Sequence, residues 1–166
     1  NPKMTLKGMA SDTAEAGRTA WKGTMIGSVL GFFVGILPAA GATPASLMSY
    51  GVAKMVSKRP EEFGQGSADG VAAPEAANNS ASTGSMLPML TLGIPGSPTT
   101  AILLGGMVIW GLVPGPLLFV QETEFVWGLI GSFYISNLAA VLINLAFIPV
   151  FIWMLRMPFT ILAPMI

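Results

Sequence analysis

The sequence has no cysteine and no histidine. It therefore offers no disulfide framework, no Cys/His zinc site and no Ser–His or Cys–His catalytic pair. Charge is scarce too. Only 10% of the residues are charged, and 8 basic residues balance 8 acidic ones. A soluble globular domain carries roughly 25% charged residues, so this chain has too little charge to cover a water-facing surface. A net charge of zero leaves no footprint for a nucleic acid.

Apolar residues, glycine and proline are abundant: 52% hydrophobic, with 20 Gly and 13 Pro. The basic residues are unevenly placed, all but Arg156 lying in the first 59 positions. Residues 76–121 and 125–155 carry no charge. Each run exceeds the ~20 apolar residues that cross a bilayer core. Both are internal and too long for a cleaved signal peptide. The expected fold is an all-α membrane protein, a polytopic helical bundle with re-entrant or broken helices. Residue 1 is Asn and residues 161–166 are still apolar, so the sequence reads as a segment of a longer chain.

Residues 1–22 are polar and mixed in charge, a cytoplasmic lead-in ending on Trp21 and Lys22, a pair suited to the membrane interface. Residues 23–57 read as a first span plus a re-entrant hairpin. Gly23, Gly27, Gly31 and Gly35 recur every four positions. On a helix they share one face and admit a close neighbour. The pattern breaks at GILPAAGATPAS, where Pro38 and Pro44 flank Gly41. A second, shorter arm runs to Lys54, Lys58 and Arg59. Basic residues on both sides of one apolar unit place both ends in the cytoplasm. Residues 58–75 read as a polar cytoplasmic loop whose glycines do not match a phosphate-cradling spacing.

Residues 76–121 read as broken membrane helices. Their middle, GIPGSPTT, interrupts a charge-free run, and PGP at 114–116 ends it. Spacing leaves crossing and re-entry both open. Residues 122–166 read as a long tilted span and the start of another element. Glu122 and Glu124 lie outside, Trp127 and Trp153 act as belt aromatics, and Pro149 allows a kink. Asn137 and Asn144, seven apart, are expected to hydrogen-bond to a neighbouring helix.

Backbone unwound in lipid leaves polar groups unsatisfied unless protein or a watery cavity satisfies them. Two similar breaks, GILPAAGATP and GIPGSPTT, are therefore the candidate site, since paired Gly/Pro interruptions point to transporter binding sites. Helix N-termini freed there offer N–H donors to an anion. Thr43, Ser97, Thr99 and Thr100 add hydroxyls. The alternative is that the breaks are packing kinks. Glu75, Asn78 and Asn79 form a second constellation, suited to Na⁺ or a proton relay. Its alternative is an ordinary helix N-terminus with a favourable acid.

APEAANN, LTLGIPGSPTTA and the closing PGP, together with GILPAAGAT, resemble the large membrane subunit of the tripartite tricarboxylate transporters over roughly residues 20–165. The resemblance implies a multi-pass protein of the bacterial inner membrane. It implies ion-driven import, by Na⁺ or H⁺, of citrate-like or other small carboxylates, with no cofactor and no enzymatic activity. It also implies a periplasmic substrate-binding protein and a small membrane subunit as partners. The large subunit has two related halves, an inverted repeat, and this chain resembles the second, so the other half is a further partner. Matching positions are Gly35, Pro38, Gly41, Ala42 and Thr43 in the first break, and Gly93, Pro95, Gly96, Ser97 and Thr99 in the second. Glu75, Asn78 and Asn79 lie between as coupling-ion candidates. Ala39 stands where the family usually has glycine. A structural or assembly module without its own substrate site is the alternative function. A channel lacks the charged rings it would need.

Overall fold

The computed structural model describes residues 17, 18 and 20–155, with side chains through residue 152. The expectations for residues 1–16 and 156–166, and for the Trp153 side chain, lie outside the described residues. No strand occurs among the described residues. The chain divides into two compact units, between Gln121 and Glu122.

The first unit begins with α1 (Trp21–Ile36), α2 (Ala42–Val56), a 3-10 turn (Pro60–Glu62) and α3 (Ala68–Gly84). It continues with α4 (Met86–Leu92), α5 (Pro98–Ile109) and α6 (Leu118–Gln121). Helix α1 stops where Pro38 forbids helical backbone to the residue before it, and Leu37 is extended at ψ 126°. Helix α2 starts afresh at Gly41 and runs back. The cores on either side of α2 fix its direction. Ala45 packs with Ala77 and Ala81, and Ala53 packs with Ala73 and Phe63, so α2 is antiparallel to α3.

Helices α1 and α3 are parallel and very close. A Cβ on Gly23 would lie 2.8 Å from the Asp69 carbonyl oxygen. A Cβ on Gly27, Gly31 or Gly35 would run into the carbonyl of Ala73, Ala77 or Ala81 in turn. Two rows with a period of four therefore mesh in constant register. The Ser80 hydroxyl donates to the Ser28 carbonyl at 2.6 Å across the same seam. Glycine in a helix interior costs about 0.5–1 kcal/mol relative to alanine, and here the close approach offsets that cost.

Helix α3 begins at Ala68, inside the stretch expected to be loop up to residue 75. Ser67 caps it, its Oγ accepting the Gly70 N–H at 3.2 Å. Pro74 sits inside the helix without ending it, and the Ser46 hydroxyl donates to the Pro74 carbonyl at 3.0 Å. Helix α5 ends at Ile109, before the expected stop at PGP. Gly111 there has φ 75° and turns the chain.

The second unit is described by α7 (Thr123–Leu155). Its stretch Thr123–Ile152 is long and apolar enough to cross a membrane, and its most apolar window has no buried residue. Asn137 and Asn144 differ from expectation. Each donates to the carbonyl one turn back in its own helix, Phe133 at 2.9 Å and Ala140 at 2.8 Å. Among the described residues of this unit no neighbouring helix supplies an acceptor, so the nearest backbone oxygen does.

The distribution of size is inverted relative to a water-soluble domain. The packed interior of α1–α3 is mostly alanine, Ala45, Ala53, Ala73, Ala77 and Ala81, with Val34 and Phe63 at its two ends. Large apolar side chains point outward: Phe33, Leu47, Met55, Ile102 and Trp110 are all exposed. Small residues inside and large ones outside is how helices pack in lipid, and the chain is an all-α membrane protein.

Candidate functional site

Both breaks lie at one end of the α1–α3 bundle. The first, residues 37–41, joins the end of α1 to the start of α2. Its carbonyls are partly closed by tight turns, Leu37 N–H to Val34 O at 3.1 Å and Ala40 N–H to Leu37 O at 3.2 Å. Pro38 and Thr43 are exposed, and Gly41 and Ala42 half-buried. Gly41 has φ 72° and ψ −179°, backbone that is essentially confined to glycine. Ala39 has φ 59°. The position at which the sequence departs from its resemblance is thus one where a left-handed backbone makes glycine the easier residue.

The second break, residues 93–97, joins α4 to α5. Gly93 is left-handed at φ 70°, and it and Ile94 donate to the carbonyls of Met89 and Pro88 at 3.0 and 3.2 Å. Gly96 is buried. A Cβ there would lie 2.8 Å from the Ser85 Cβ and 3.1 Å from the Gly35 carbonyl oxygen. The second break is thereby seated on the last turn of α1, next to the first break. Pro95 is half-buried. Gly115 N–H donates to Leu90 O at 2.9 Å, so the PGP turn folds back onto α4.

The hydroxyls divide into two kinds. Ser97 and Thr100 are taken up by a reciprocal capping box. Thr100 N–H donates to Ser97 Oγ at 3.2 Å and Ser97 N–H to Thr100 Oγ1 at 2.9 Å. The Thr100 hydroxyl also donates to the Ser97 carbonyl at 2.8 Å, and the residue is 1% exposed. Thr43 and Thr99 are exposed and are the hydroxyls left for a solute. By helix geometry the N–H groups of Ala42, Thr43 and Thr99 have no acceptor within their own helices.

Glu75, Asn78 and Asn79 all lie on the exposed face of α3. The Asn79 amide donates to the Glu75 carbonyl at 3.1 Å. These three are apart from the α1–α3 seam and are not enclosed by this chain. No group of three Asp or Glu residues among the described residues forms a metal-binding cluster.

Residues not singled out by sequence complete the arrangement. Asp69 accepts the Gly23 N–H at 2.8 Å, so a carboxylate from α3 caps α1. Ser85, 1% exposed, is the surface on which Gly96 sits. The signal for the capping box was present as Ser97-Pro98 followed by a hydroxyl at Thr100. A cleft of about 440 Å³ lies at the opposite end of the bundle, lined by Trp21, Lys22, Lys58, Arg59 and Asp69 among others.

Comparison with known proteins bears on this arrangement. The family described as "Tripartite tricarboxylate transporter TctA family" matches residues 2–166. The chain is 44% identical over 140 residues to a 52.8 kDa protein of the TAR-I ttuC′ 3′ region of Agrobacterium vitis. It is 43% identical over 136 residues to a protein of the TAR-II ttuC′ 3′ region of the same organism. The matches take in 84% and 82% of this chain, but only 28% and 56% of those relatives. No solved structure matches.

Proposed function

This chain belongs to the tripartite tricarboxylate transporter TctA family, and on that premise we propose that it forms part of the membrane subunit of an ion-coupled importer of tricarboxylates or similar small carboxylates. The observation that carries the site is the seating of Gly96 against the Gly35 carbonyl. It brings two helix starts, α2 and α5, to one end of the bundle. Their free N–H groups and positive dipole ends suit a carboxylate, and the Thr43 and Thr99 hydroxyls add donors. Substrate binds across Pro38, Gly41, Ala42 and Thr43 of one break and Gly93, Pro95, Gly96 and Thr99 of the other. Ser97 shapes the second break as its cap.

Glu75, Asn78 and Asn79 hold the coupling ion, Na⁺ or H⁺. A carboxylate with amide oxygens provides oxygen ligands for a hard cation. The rest of the large subunit closes the site over this face. A periplasmic substrate-binding protein and a small membrane subunit complete the transporter in the bacterial inner membrane.

A second reading, an assembly module with no substrate site, is favoured by one observation. Gly96 is buried and Ser97 and Thr100 close on each other, so the second break is also a packed joint. Uptake of a labelled tricarboxylate by vesicles holding the complete transporter separates the two. Thr43→Ala, Thr99→Ala and Asn78→Ala are expected to lower uptake at least tenfold, about the loss of one good polar contact to a charged group, with assembly intact. Uptake that falls only together with loss of assembly would instead support the module.

A further inference from the structure

The cleft at the end of the bundle away from the breaks plays no part in the proposed transport site. We propose that it binds a phosphate group, that of the phosphodiester headgroup of an anionic phospholipid. Three cationic side chains line it, Lys22, Lys58 and Arg59, against two carboxylates, Glu62 and Asp69. Both carboxylates already have partners. Glu62 Oε1 accepts from Arg59 Nη1 at 3.1 Å, and Asp69 Oδ1 accepts from the Gly23 N–H at 2.8 Å. Lys22 and Lys58 have no ion-pair partner among the described residues. Lys22 Nζ instead lies 5.9 Å from the centroid of the Trp21 ring.

The surroundings add to the positive potential. Helices α1 and α3 run parallel, so both begin at this cleft and aim their positive dipole ends into it, against the one negative end of α2, whose last turn also lines it. Ser57 and Ser67 also line it, and each uses its oxygen to accept a backbone N–H, leaving the hydroxyl proton to donate. One phosphate monoanion matches this set: two ammonium groups and two hydroxyls outweigh the single carboxylate, Asp69, that no cation pairs.

A lipid fits better than a free phosphate because of what flanks the cleft. Trp21 and Val56 on its rim are 57% and 65% exposed. Met25 and Val29 continue an exposed apolar path along α1. Acyl chains lie along that path while the headgroup occupies the basic cleft, the arrangement expected of basic pockets between membrane helices.

Native mass spectrometry of the complete subunit, with mixed phosphatidylglycerol and phosphatidylcholine nanodiscs as the lipid source, tests this. Wild type is expected to retain phosphatidylglycerol in preference to phosphatidylcholine. Lys22→Gln with Lys58→Gln is expected to lower that preference roughly thirtyfold, from the loss of two charges near the surface. Lys22→Arg with Lys58→Arg keeps the charge and is expected to keep the preference, which guards against loss through misfolding. Lys54→Gln removes a charge from the last turn of α2 outside the cleft lining and is expected to have little effect. An equal loss with Lys54→Gln, an unchanged preference in the double glutamine variant, or no preference in wild type would overturn the site. Displacement of the lipid by millimolar inorganic phosphate would reassign the cleft to free phosphate and overturn the lipid.

Discussion

Ala39 and Gly41 sit two positions apart in the first break, and the same physics predicts opposite outcomes for them. At Ala39, φ is 59°, and a Cβ in left-handed backbone costs roughly 1–2 kcal/mol. Ala39→Gly removes that strain but gives the unfolded chain freedom worth about 0.4–1 kcal/mol. The net expectation is a gain of roughly 0.5–1 kcal/mol, read as a higher unfolding midpoint in detergent. At Gly41 the backbone is at φ 72° and ψ −179° with nothing within 4 Å of a would-be Cβ. Any loss in Gly41→Ala is therefore backbone strain and not crowding. It is expected to be about 1–3 kcal/mol. The hydroxyls separate in the same way. Ser97→Ala removes a capping oxygen and is expected to lower stability by about 1 kcal/mol. Thr99→Ala, exposed and outside the capping box, is expected to leave the midpoint unchanged while lowering uptake. A fall in midpoint for Thr99→Ala matching that of Ser97→Ala would make it a structural residue and remove it from the substrate site.

The seam between α1 and α3 is where element-scale packing decides stability. Gly31→Ala gains up to about 1 kcal/mol of helix propensity. Its new methyl, however, would lie 2.6 Å from the Ala77 Cα and closer still to that residue's carbonyl. Overpacking of this kind costs typically 1–3 kcal/mol, and since the obstruction is backbone, a net loss of stability is expected, with Gly31→Val worse. A thermal unfolding series in lipid checks the order. The four glycines announced a close neighbour from sequence, because period four is a property of one helix. Their partner could not be read, because Asp69, Ala73, Ala77 and Ala81 lie 46 residues on, as Gly23 and Asp69 show, and share α3 with many other small residues. The breaks were legible for a local reason: proline and left-handed glycine restrict φ without help from the rest of the fold. The start of α3 was not. Polar composition read as loop, and the helix is held by the Ser67 cap and by burial of Ala73 against Phe63 and Ala53, the latter a tertiary fact. Asn137 and Asn144 illustrate a further limit, since each bonds within its own helix. Spacing gives the face but not the acceptor.

At the scale of the molecule, a polar surface on α3 stands out between the two ends of the bundle. Many outward residues among those described are large and apolar, consistent with lipid or with the remainder of a longer protein. The outward face of α3 carries Glu75, Asn78 and Asn79 instead. An acidic side chain at mid-bilayer costs on the order of 3 kcal/mol, so this face borders water or protein. The two alternatives differ in what reaches Asn78. This sequence contains no cysteine, so a cysteine introduced here reports on its own surroundings. Asn78→Cys, in the complete subunit with any other cysteines removed, is expected to react readily with a water-soluble maleimide, and substrate or coupling ion is expected to slow the reaction. Leu142→Cys, exposed on α7 within the membrane-length stretch, is expected to react at least tenfold more slowly, because lipid excludes a polar reagent and keeps the thiol un-ionised. If Asn78→Cys reacts as slowly as Leu142→Cys, the face is sealed by protein, and the coupling ion must bind elsewhere. If it reacts fast and neither substrate nor ion protects it, the face is wet but idle, and Glu75, Asn78 and Asn79 lose their assigned role. Protection by Na⁺ alone would identify the ion and place it on α3 in one measurement.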